Sequence, residues 1–352
     1  MGFFRIFLLP FALLYGFVIF CRNLLFDIGL LPSKEYSFPV ISLGNLRTGG
    51  TGKTPHVEYL VNLLKEEYNI AVLSRGYKRK TRGYYEAGAG CTTADIGDEP
   101  MQMHLKFPDI VVAVHGNRRK GIKKIMADHP GTNLIILDDA FQHRFVKPGL
   151  NLLLTGYYNP FFKDYLLPVG HLREAKTRAK RADALIVTKT PQVFSPLDRR
   201  FFNKQLKKHK PRSVFFSKFN YKKMVPLTPA AVEQPGTAIK SIFLLSGIAN
   251  TVALEEHLKT SCKDLFVHKY PDHHQFTQKD LQKLRYDFEK TISYSKIIVT
   301  TEKDATRLIN TEFSEYMADL PVYALPVEVV FHNPEKHCFD TMIHRFLAKY
   351  KD

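Results

Sequence analysis

The chain has 352 residues, of which 45% are apolar and 24% charged, a globular composition that leaves room for two domains with a hydrophobic core. Its net charge of +17 indicates an anionic partner: nucleic acid, an acidic membrane surface or a phosphorylated substrate. The four cysteines are scattered without metal-site spacing, so we interpret them as reduced thiols in a cytosolic compartment.

The first predicted element is an apolar segment, residues 6–21, which carries no charge and lies between Arg5 and Arg22. A membrane-spanning helix needs about 20 apolar residues, so this segment is slightly short, and Pro10 interrupts it. A signal peptide is one alternative, but no small-residue cleavage site follows. We predict a membrane-associated helix within residues 1–32, at the interface or partly inserted; a buried core helix is the other alternative.

The most informative stretch is the glycine-rich segment 44–55, between an apolar run at 40–43 and an amphipathic helical pattern. A strand, a glycine-rich turn and a helix opened by Gly-Lys-Thr are typical of a phosphate-binding loop. Lys53 would reach the terminal phosphates, and the Thr54 hydroxyl would bind Mg²⁺. The strict pattern expects glycine where Arg47 stands, and an ordinary glycine-rich turn is the alternative. The predicted nucleotide-binding residues are Thr48, Gly49, Gly50, Thr51, Gly52, Lys53 and Thr54.

Two further segments place polar residues beside predicted elements. The apolar run at 70–74 predicts a strand, and Arg75 follows it directly. Because ligands bind at the carboxyl ends of parallel strands, Arg75 is placed to contact a phosphate; a solvated basic turn is the alternative. Asp98 and Glu99 precede a predicted helix, and their spacing alone fits either a helix cap or a general base near the transferred phosphate.

A second strong signal is the apolar run at 134–137, which ends in Asp138 and Asp139 and is typical of a Walker B element. A carboxylate there would hold Mg²⁺, directly or through water. Before it, the basic run at 115–124 predicts a helix with a solvated face, which could also meet lipid head groups. After it, Arg173 would neutralise charge during phosphate transfer, although an isolated arginine more often forms a surface ion pair.

Alternating apolar strands and helices predict a doubly wound, mostly parallel sheet of the P-loop NTPase type with a second, smaller α/β domain. The pattern weakens at residues 192–235, where we place a domain boundary. We expect the phosphate-binding domain at 33–215 and the second domain, on the other side of the cleft, at 216–330. A C-terminal helix within 331–352 can pack back on the first domain.

The second unit contains two adjacent histidines, His273 and His274. No third spaced ligand accompanies them, so we predict a catalytic or substrate-contacting histidine rather than a zinc site. Thr277 and Asp280, directly after them, predict the N-terminal cap of a helix.

Taken together, these segments resemble the tetraacyldisaccharide 4′-kinases of lipid A biosynthesis. They occur in the order of that family over nearly the whole chain, which is far more specific than a phosphate-binding loop alone. The segments that carry the resemblance are 44–55, Ser74-Arg75-Gly76-Tyr77, Gly97-Asp98-Glu99-Pro100, Asp138-Asp139-Ala140-Phe141-Gln142-His143, Leu167-Pro168, Leu172-Arg173-Glu174, Ser246-Gly247-Ile248-Ala249-Asn250, Pro271-Asp272-His273-His274 and Thr301-Glu302-Lys303-Asp304.

The resemblance implies a kinase on the cytoplasmic face of the inner membrane of a Gram-negative bacterium. It would transfer the γ-phosphate of ATP, with Mg²⁺, to the 4′-hydroxyl of a tetraacyldisaccharide 1-phosphate and give the 1,4′-bisphosphate. The anionic membrane surface and the lipid phosphate then account for the positive charge, and no motif for nucleic acid is present. The oligomeric state stays open, with a monomer as the expected form.

The resemblance also implies roles for individual residues. Asp98 would be the catalytic carboxylate, assisted by His273 or His274, and Arg173 would stabilise the transferring charge. The implied metal-side residues are Thr54, Asp138, Asp139 and Glu99. The implied substrate-binding residues are Asn45, Arg75, Gln142 and His143.

The chain departs from the family pattern at three positions near the site, Ala140, His171 and Arg47, none of which is a proposed catalytic group. The main alternative function is a membrane-associated regulatory P-loop ATPase without a lipid acceptor. A non-catalytic lipid-binding protein is less favoured, because Lys53 and Asp98 are both intact. A GTPase is also less favoured, because the sequence lacks the Asn/Thr-Lys-x-Asp guanine motif.

Overall fold

The structure is a computed structural model that describes residues 7–232, 239–308 and 312–351. Arg5 and residue 6 of the predicted N-terminal segment, and Asp352 at the end of the predicted C-terminal helix, lie outside the described residues. The strands are, in chain order, β1 (Val40–Asn45), β2 (Ile70–Ser74), β3 (Tyr85–Glu86), β4 (Val111–Val114), β5 (Leu134–Asp138), β6 (Leu150–Gly156), β7 (Ala184–Thr188), β8 (Ser213–Tyr221), β9 (Val225–Pro226), β10 (Ser241–Ser246), β11 (Asp264–Lys269), β12 (Lys296–Thr301), β13 (Val322–Leu325) and β14 (Val327–Phe331).

The helices accompany the strands in alternation, as in other α/β proteins. They are, in chain order, α1 (Leu9–Asp27), α2 (Lys53–Leu64), α3 (Thr93–Ile96), α4 (Asp98–Lys106), α5 (Arg118–Asp128), α6 (Pro196–Lys207), α7 (Pro229–Val232), α8 (Val252–Lys259), α9 (Gln278–Lys290), α10 (Glu302–Ala305), α11 (Glu312–Tyr316) and α12 (Glu335–Leu347). Short 3₁₀ turns cover Phe161–Lys163, Lys176–Arg181 and Ala348–Tyr350.

The larger sheet contains nine of the described strands, in the order β14-β8-β7-β6-β1-β5-β2-β4-β3. The strands from β8 to β4 in this order pair in parallel, whereas β14 and β3 pair antiparallel at the two edges. This topology confirms the predicted P-loop NTPase-like, doubly wound fold. Because β1 lies between β5 and β6, its carboxyl end is at the centre of the sheet edge where ligands bind in this fold class.

Helix α2 is fixed to the larger sheet by its apolar face. Val57, Leu60 and Leu64 recur at helical spacing, are fully buried, and belong to the same core cluster as Ile41 and Leu43 of β1. Burial of each side chain stabilises the fold by about 1.5–3 kcal/mol. The N-terminus of α2 is therefore held in a fixed position relative to the end of β1.

The smaller sheet contains the other five described strands, in the order β11-β10-β12-β13-β9. Strands β10 to β13 pair in parallel, and β9 is antiparallel to β13. Leu281, Leu284 and Phe288 of α9 share a buried cluster with Phe243 and Ile298 of this sheet. The segment predicted as the second α/β unit therefore has its own hydrophobic core.

The chain crosses between the sheets twice, from β8 to β9 and from β13 to β14. The predicted domain limits at 215/216 and 330/331 fall inside β8 and β14. These two strands pair antiparallel with each other, and this pairing keeps both of them in the larger sheet. The weak sequence pattern at 192–235 did not predict this pairing. Helix α12 packs on the same sheet through Phe339, Ile343 and Phe346. The division into domains stays a prediction.

Helix α1 is 19 residues long with a mean hydropathy of 1.8, and it alone among the described helices is long and apolar enough to cross a membrane. Only 17% of its most apolar window is buried, which does not fit the alternative of a core helix. The exposed apolar side chains of α1 and of the two residues before it are Phe7, Leu8, Leu9, Phe11, Leu13, Leu14, Phe17, Val18, Phe20, Leu24 and Leu25. Its polar side chains contact the protein body, as described below.

Candidate active site

The segment 44–55 forms the predicted strand–loop–helix unit. β1 ends at Asn45, and α2 begins at Lys53. Gly52 precedes the helix with φ +81°, a conformation that favours glycine. The Thr51 hydroxyl accepts a hydrogen bond from Asn45 Nδ2 at 2.8 Å, and the Thr51 carbonyl accepts one from Thr188 Oγ1 at 2.8 Å. The loop is therefore braced by the ends of β1 and β7.

The two carboxylates after β5 have different partners. Asp139 accepts hydrogen bonds from Arg173 at 3.0 Å and lies 3.6 Å from Lys53 Nζ. Burial alone would raise the pKa of Asp139, but the charges of Lys53 and Arg173 lower it to about 2. Burial and the charge of Glu99 raise the pKa of Asp138 to about 7, and its Oδ1 has no hydrogen-bond partner among the described residues. Asp138 is therefore available to a cation, whereas Asp139 is already paired.

Asp98 is the first residue of α4, and its carboxylate contacts side chains of residues that come after strands of the smaller sheet. Its Oδ2 lies 2.8 Å from His273 Nδ1 and accepts a hydrogen bond from Arg307 at 2.7 Å. Arg307 also donates to Asp304 at 3.0 Å, and both side chains are almost fully buried. Burial would raise the pKa of Asp98, but the hydrogen bonds from His273 and Arg307 lower it to about 2. Asp98 is therefore a carboxylate at neutral pH.

His273 has a second partner on the other side of its ring. Lys303 Nζ lies 3.2 Å from His273 Nε2 and 3.5 Å from Glu99 Oε1. Because a lysine ammonium only donates, Nε2 accepts this hydrogen bond and Nδ1 carries the proton that points to Asp98. His273 therefore lies between the Asp98 carboxylate at Nδ1 and the Lys303 ammonium group at Nε2.

His274 has a different environment from its neighbour. Its ring stacks on Tyr270 with the ring centroids 4.6 Å apart, and its Nε2 lies 2.9 Å from Asp280 Oδ2. Asp280 also forms a capping box with Thr277 at the start of α9, as the sequence predicted. Of the two candidate histidines, the structure brings His273 to Asp98 and places His274 at a helix cap.

One cleft of about 730 Å³ brings these groups together between the two sheets. His273 and Lys303 line it from the side of the smaller sheet. Asp98 is 5% exposed and is not part of the cleft wall, which it reaches through His273. The other predicted residues that line the cleft are Thr48, Gly49, Gly50, Thr51, Gly52, Lys53, Thr54, Arg75, Glu99, Asp138, Asp139 and Arg173.

Comparison with known proteins assigns the chain to a family. A family model described as "LpxK: Tetraacyldisaccharide-1-P 4'-kinase" matches residues 4–347. The tetraacyldisaccharide 4′-kinase of Bacteroides thetaiotaomicron is 44% identical over 333 residues, which are 92% of this chain and 88% of the relative. That of Flavobacterium psychrophilum is 42% identical over 349 residues, which are 99% and 98% of the two chains. The chain belongs to this kinase family.

Within the family, a crystal structure of LpxK from Aquifex aeolicus in complex with ATP is similar to the whole chain. Its TM-score is 0.72 at 29% sequence identity, and the match covers 98% of this chain and 99% of that chain. This similarity, together with the relatives, shows that the protein is a kinase with the family's two-sheet fold. It also supports ATP as the nucleotide.

The site also contains Arg118, which sequence reasoning missed. The prediction of a solvated basic helix at 115–124 is wrong for this residue, which is 2% exposed. Its guanidinium donates at 3.3 Å to the backbone carbonyls of Asp138 and Asp139, and burial lowers its pKa to about 10. Lys120 and Lys123 of the same helix are exposed. No local signal distinguishes one buried arginine in a basic run.

Three residues that the resemblance assigns to substrate binding contact other site residues. Gln142 donates to the Asn45 carbonyl at 2.8 Å, and its Oε1 lies 3.4 Å from Arg173 Nη1. His143 accepts a hydrogen bond from the Arg118 backbone at 3.2 Å, and burial lowers its pKa to about 4. These contacts do not test substrate binding, so that role stays a prediction.

Proposed function

We propose that the protein transfers the γ-phosphate of ATP to the 4′-hydroxyl of tetraacyldisaccharide 1-phosphate and gives the 1,4′-bisphosphate precursor of lipid A. The observation that carries this proposal is the Asp98–His273 pair at the same cleft as Lys53 of the phosphate-binding loop. A general base in the same cleft as a phosphate-binding loop is suited to phosphate transfer to an alcohol. The comparisons give no support to the alternative of a regulatory ATPase.

The acceptor hydroxyl must lose a proton as it attacks the γ-phosphate. Asp98 is ionised at neutral pH, and its hydrogen bond holds His273 with Nδ1 protonated. When the hydroxyl takes the place of Lys303 at Nε2, His273 accepts the proton there and Asp98 stabilises the charged ring through Nδ1, which is general-base catalysis. Arg307 holds the carboxylate in position at 2.7 Å, so the pair does not depend on a mobile side chain.

Negative charge on the transferred group is stabilised from the opposite side of the cleft. Lys53 and the backbone N–H groups at the start of α2 bind the phosphate oxygens. Arg173 and Lys53 both lie against Asp139, which fixes the two cations before substrate binds. Cations that are already oriented stabilise a transition state without reorganisation during the reaction.

Mg²⁺ is the metal that a phosphate-binding loop implies, and the oxygen donors in the cleft fit it. No group of three or more His, Cys, Asp or Glu side chains that could hold a metal occurs among the described residues. This suits Mg²⁺, which is usually held by one or two carboxylates together with substrate phosphates. Thr54, Asp138 and Glu99 would hold the ion, and the partnerless Oδ1 of Asp138 is the best placed. When bound, Mg²⁺ would neutralise charge on the β- and γ-phosphates.

The acceptor is a lipid, so we also propose that α1 associates with the cytoplasmic face of the inner membrane. Its exposed apolar face would enter the bilayer, and nearby basic residues would gain about 1 kcal/mol each from an anionic leaflet. The Tyr15 hydroxyl donates to the Arg173 carbonyl at 2.9 Å, and Arg22 donates to the Gln142 carbonyl at 3.1 Å. The helix that meets the lipid therefore contacts the backbone of two site residues.

A transfer assay tests the proposed reaction. Protein in detergent with Mg²⁺ and γ-labelled ATP is given tetraacyldisaccharide 1-phosphate, and we expect label in the lipid. The matched control is the 1,4′-bisphosphate, which lacks a free 4′-hydroxyl and should take up no label. Label released only as inorganic phosphate, and at the same rate with either lipid, would instead support the regulatory ATPase.

Membrane association is tested by Leu13→Glu, which puts a charge on the exposed face of α1. A charged side chain costs up to about 3 kcal/mol inside a bilayer, so we expect at least a tenfold loss of co-sedimentation with vesicles of phosphatidylcholine and phosphatidylglycerol. The control is Leu197→Glu, because Leu197 on α6 has the same 74% exposure as Leu13. If both variants sediment like the unmodified protein, α1 is not the membrane contact.

A further inference from the structure

Lys189 is a cation in the cleft to which the proposed mechanism gives no role. It follows the last residue of β7 and has φ +57°, an uncommon conformation for a residue other than glycine. Its Nζ lies 3.9 Å from the position that a Cβ would take at Gly50, in the middle of the phosphate-binding loop. The preceding residue, Thr188, is hydrogen-bonded to the same loop at the Thr51 carbonyl. Lys189 is thus held over the loop by its neighbours.

Lys189 forms no ion pair with a side chain of the described residues. Among the described residues, no carboxylate lies within 4 Å of its Nζ, and the neighbour on one side is the ring of Phe219, 5.5 Å away at its centroid. Burial lowers the pKa of Lys189 to about 8; Asp272 attracts the charge and Lys303 repels it. An anion that entered the cleft beside Lys189 would stabilise this half-buried ammonium group.

The position of Lys189 along the loop indicates which part of the nucleotide it meets. Lys53 and Asp139 mark the end of the loop where the γ-phosphate is transferred. Lys189 lies on the opposite flank, because Asp139 follows β5 on one side of β1, whereas β7 lies on the other side of β1, beyond β6. The cleft wall beside Lys189 includes the ring of Phe219, 5.5 Å from its Nζ at the centroid, and Tyr221 lies two residues further along the same strand, β8. A nucleotide with its γ-phosphate at Lys53 and its base towards Phe219 and Tyr221 would have its α-phosphate nearest to Lys189.

We propose that Lys189 is a second phosphate-binding lysine, which contacts the α-phosphate of the bound nucleotide rather than the transferred group. The proposal rests on the ATP site of the proposed function. Because ATP and ADP share this phosphate, Lys189 contributes to the binding of both. It does not take part in the chemical step, and it acts on nucleotide affinity rather than on the rate of transfer at saturation.

The experiment measures the affinity of the full chain in detergent for ATP, ADP and adenosine by calorimetry, with Mg²⁺ and without acceptor. Lys189→Met keeps the length of the side chain and removes the charge. We expect its Kd for ATP and for ADP to rise about tenfold or more, by the same factor, with adenosine unchanged. In the transfer assay, KM for ATP should rise and kcat should stay within about twofold. Lys189→Arg, which keeps the charge, should lose less nucleotide affinity than Lys189→Met.

The matched control is Lys210→Met, because Lys210 also has a positive φ, +53°, but is exposed outside the cleft. Unchanged affinity for ADP in Lys189→Met would overturn the proposal. Weaker binding of ATP alone would also overturn it, because it would place the lysine at the γ-phosphate. If Lys189→Met unfolds, Lys189→Gln is measured in the same way. Unmodified protein that binds ADP but transfers no phosphate to lipid would contradict the proposed function and leave this inference intact.

Discussion

Asp98→Asn is expected to lower the rate of phosphate transfer by about 10³-fold or more, because a carboxamide cannot stabilise the charged ring that forms when His273 accepts the proton of the 4′-hydroxyl. The asparagine oxygen can still accept the hydrogen bond that Arg307 donates at 2.7 Å, so the variant should fold. Nucleotide affinity should stay within about threefold of the unmodified protein, since Asp98 is not part of the cleft wall that holds the phosphates. The measurement is kcat in the transfer assay together with the Kd for ATP.

The control for Asp98→Asn is Asp95→Asn, three residues earlier. Asp95 accepts hydrogen bonds from Thr92 in a capping box at the start of α3, away from the cleft. Weakening of this capping box in Asp95→Asn should lower the free energy of unfolding by about 1 kcal/mol and leave kcat unchanged. Near-normal turnover of Asp98→Asn would mean that another group accepts the proton, and the assignment of the pair would be wrong.

Arg307→Met is expected to have the largest effect on stability. The guanidinium bridges Asp98 and Asp304, and all three side chains are at most 5% exposed. Removing one partner of a buried ion pair leaves a carboxylate without its counter-charge, which typically costs about 3–5 kcal/mol. Because Asp98 and His273 are then held less well, we also expect kcat to fall by about 10²-fold.

Arg285→Met is the matched control for this variant. Arg285 also bridges two carboxylates, those of Glu289 and Asp319, but these partners are 59% and 65% exposed. Exposed ion pairs contribute at most about 1 kcal/mol. Urea denaturation followed by circular dichroism measures both variants. If Arg307→Met unfolds at the same urea concentration as Arg285→Met, the buried network does not contribute as the structure indicates.

The N-terminal helix α1, which we propose to contact the membrane, is also joined to the site by ion pairs. Besides Tyr15 and Arg22, it carries Asp27, which pairs with Arg144 at 2.7 Å and with Arg178 at 2.6 Å. These partners belong to the two segments, 142–144 and 173–181, that also contain Gln142 and Arg173. A lipid acceptor bound along α1 would therefore meet the site where these segments converge.

The sequence by itself determined the local features of this protein. The strand–glycine loop–helix unit at 44–55, the apolar strand that ends in Asp138 and the cap at Thr277 each depend on residues close together in the chain. The alternation of elements predicted the doubly wound fold for the same reason, because hydrophobic periodicity is a local property. The ordered motifs then identified the family, which the comparisons confirmed.

Only the tertiary structure decided which residues join these features. His273 and His274 are adjacent in sequence, but a positive φ at His273 and its backbone hydrogen bond to the Gly247 carbonyl turn the first ring towards Asp98. Nothing in the sequence near Arg307 or Lys189 separates them from other arginines and lysines. The structure does so, because it buries each of them beside groups that lie far away along the chain. Burial and long-range pairing depend on how the two sheets pack against each other, and no local pattern contains that information.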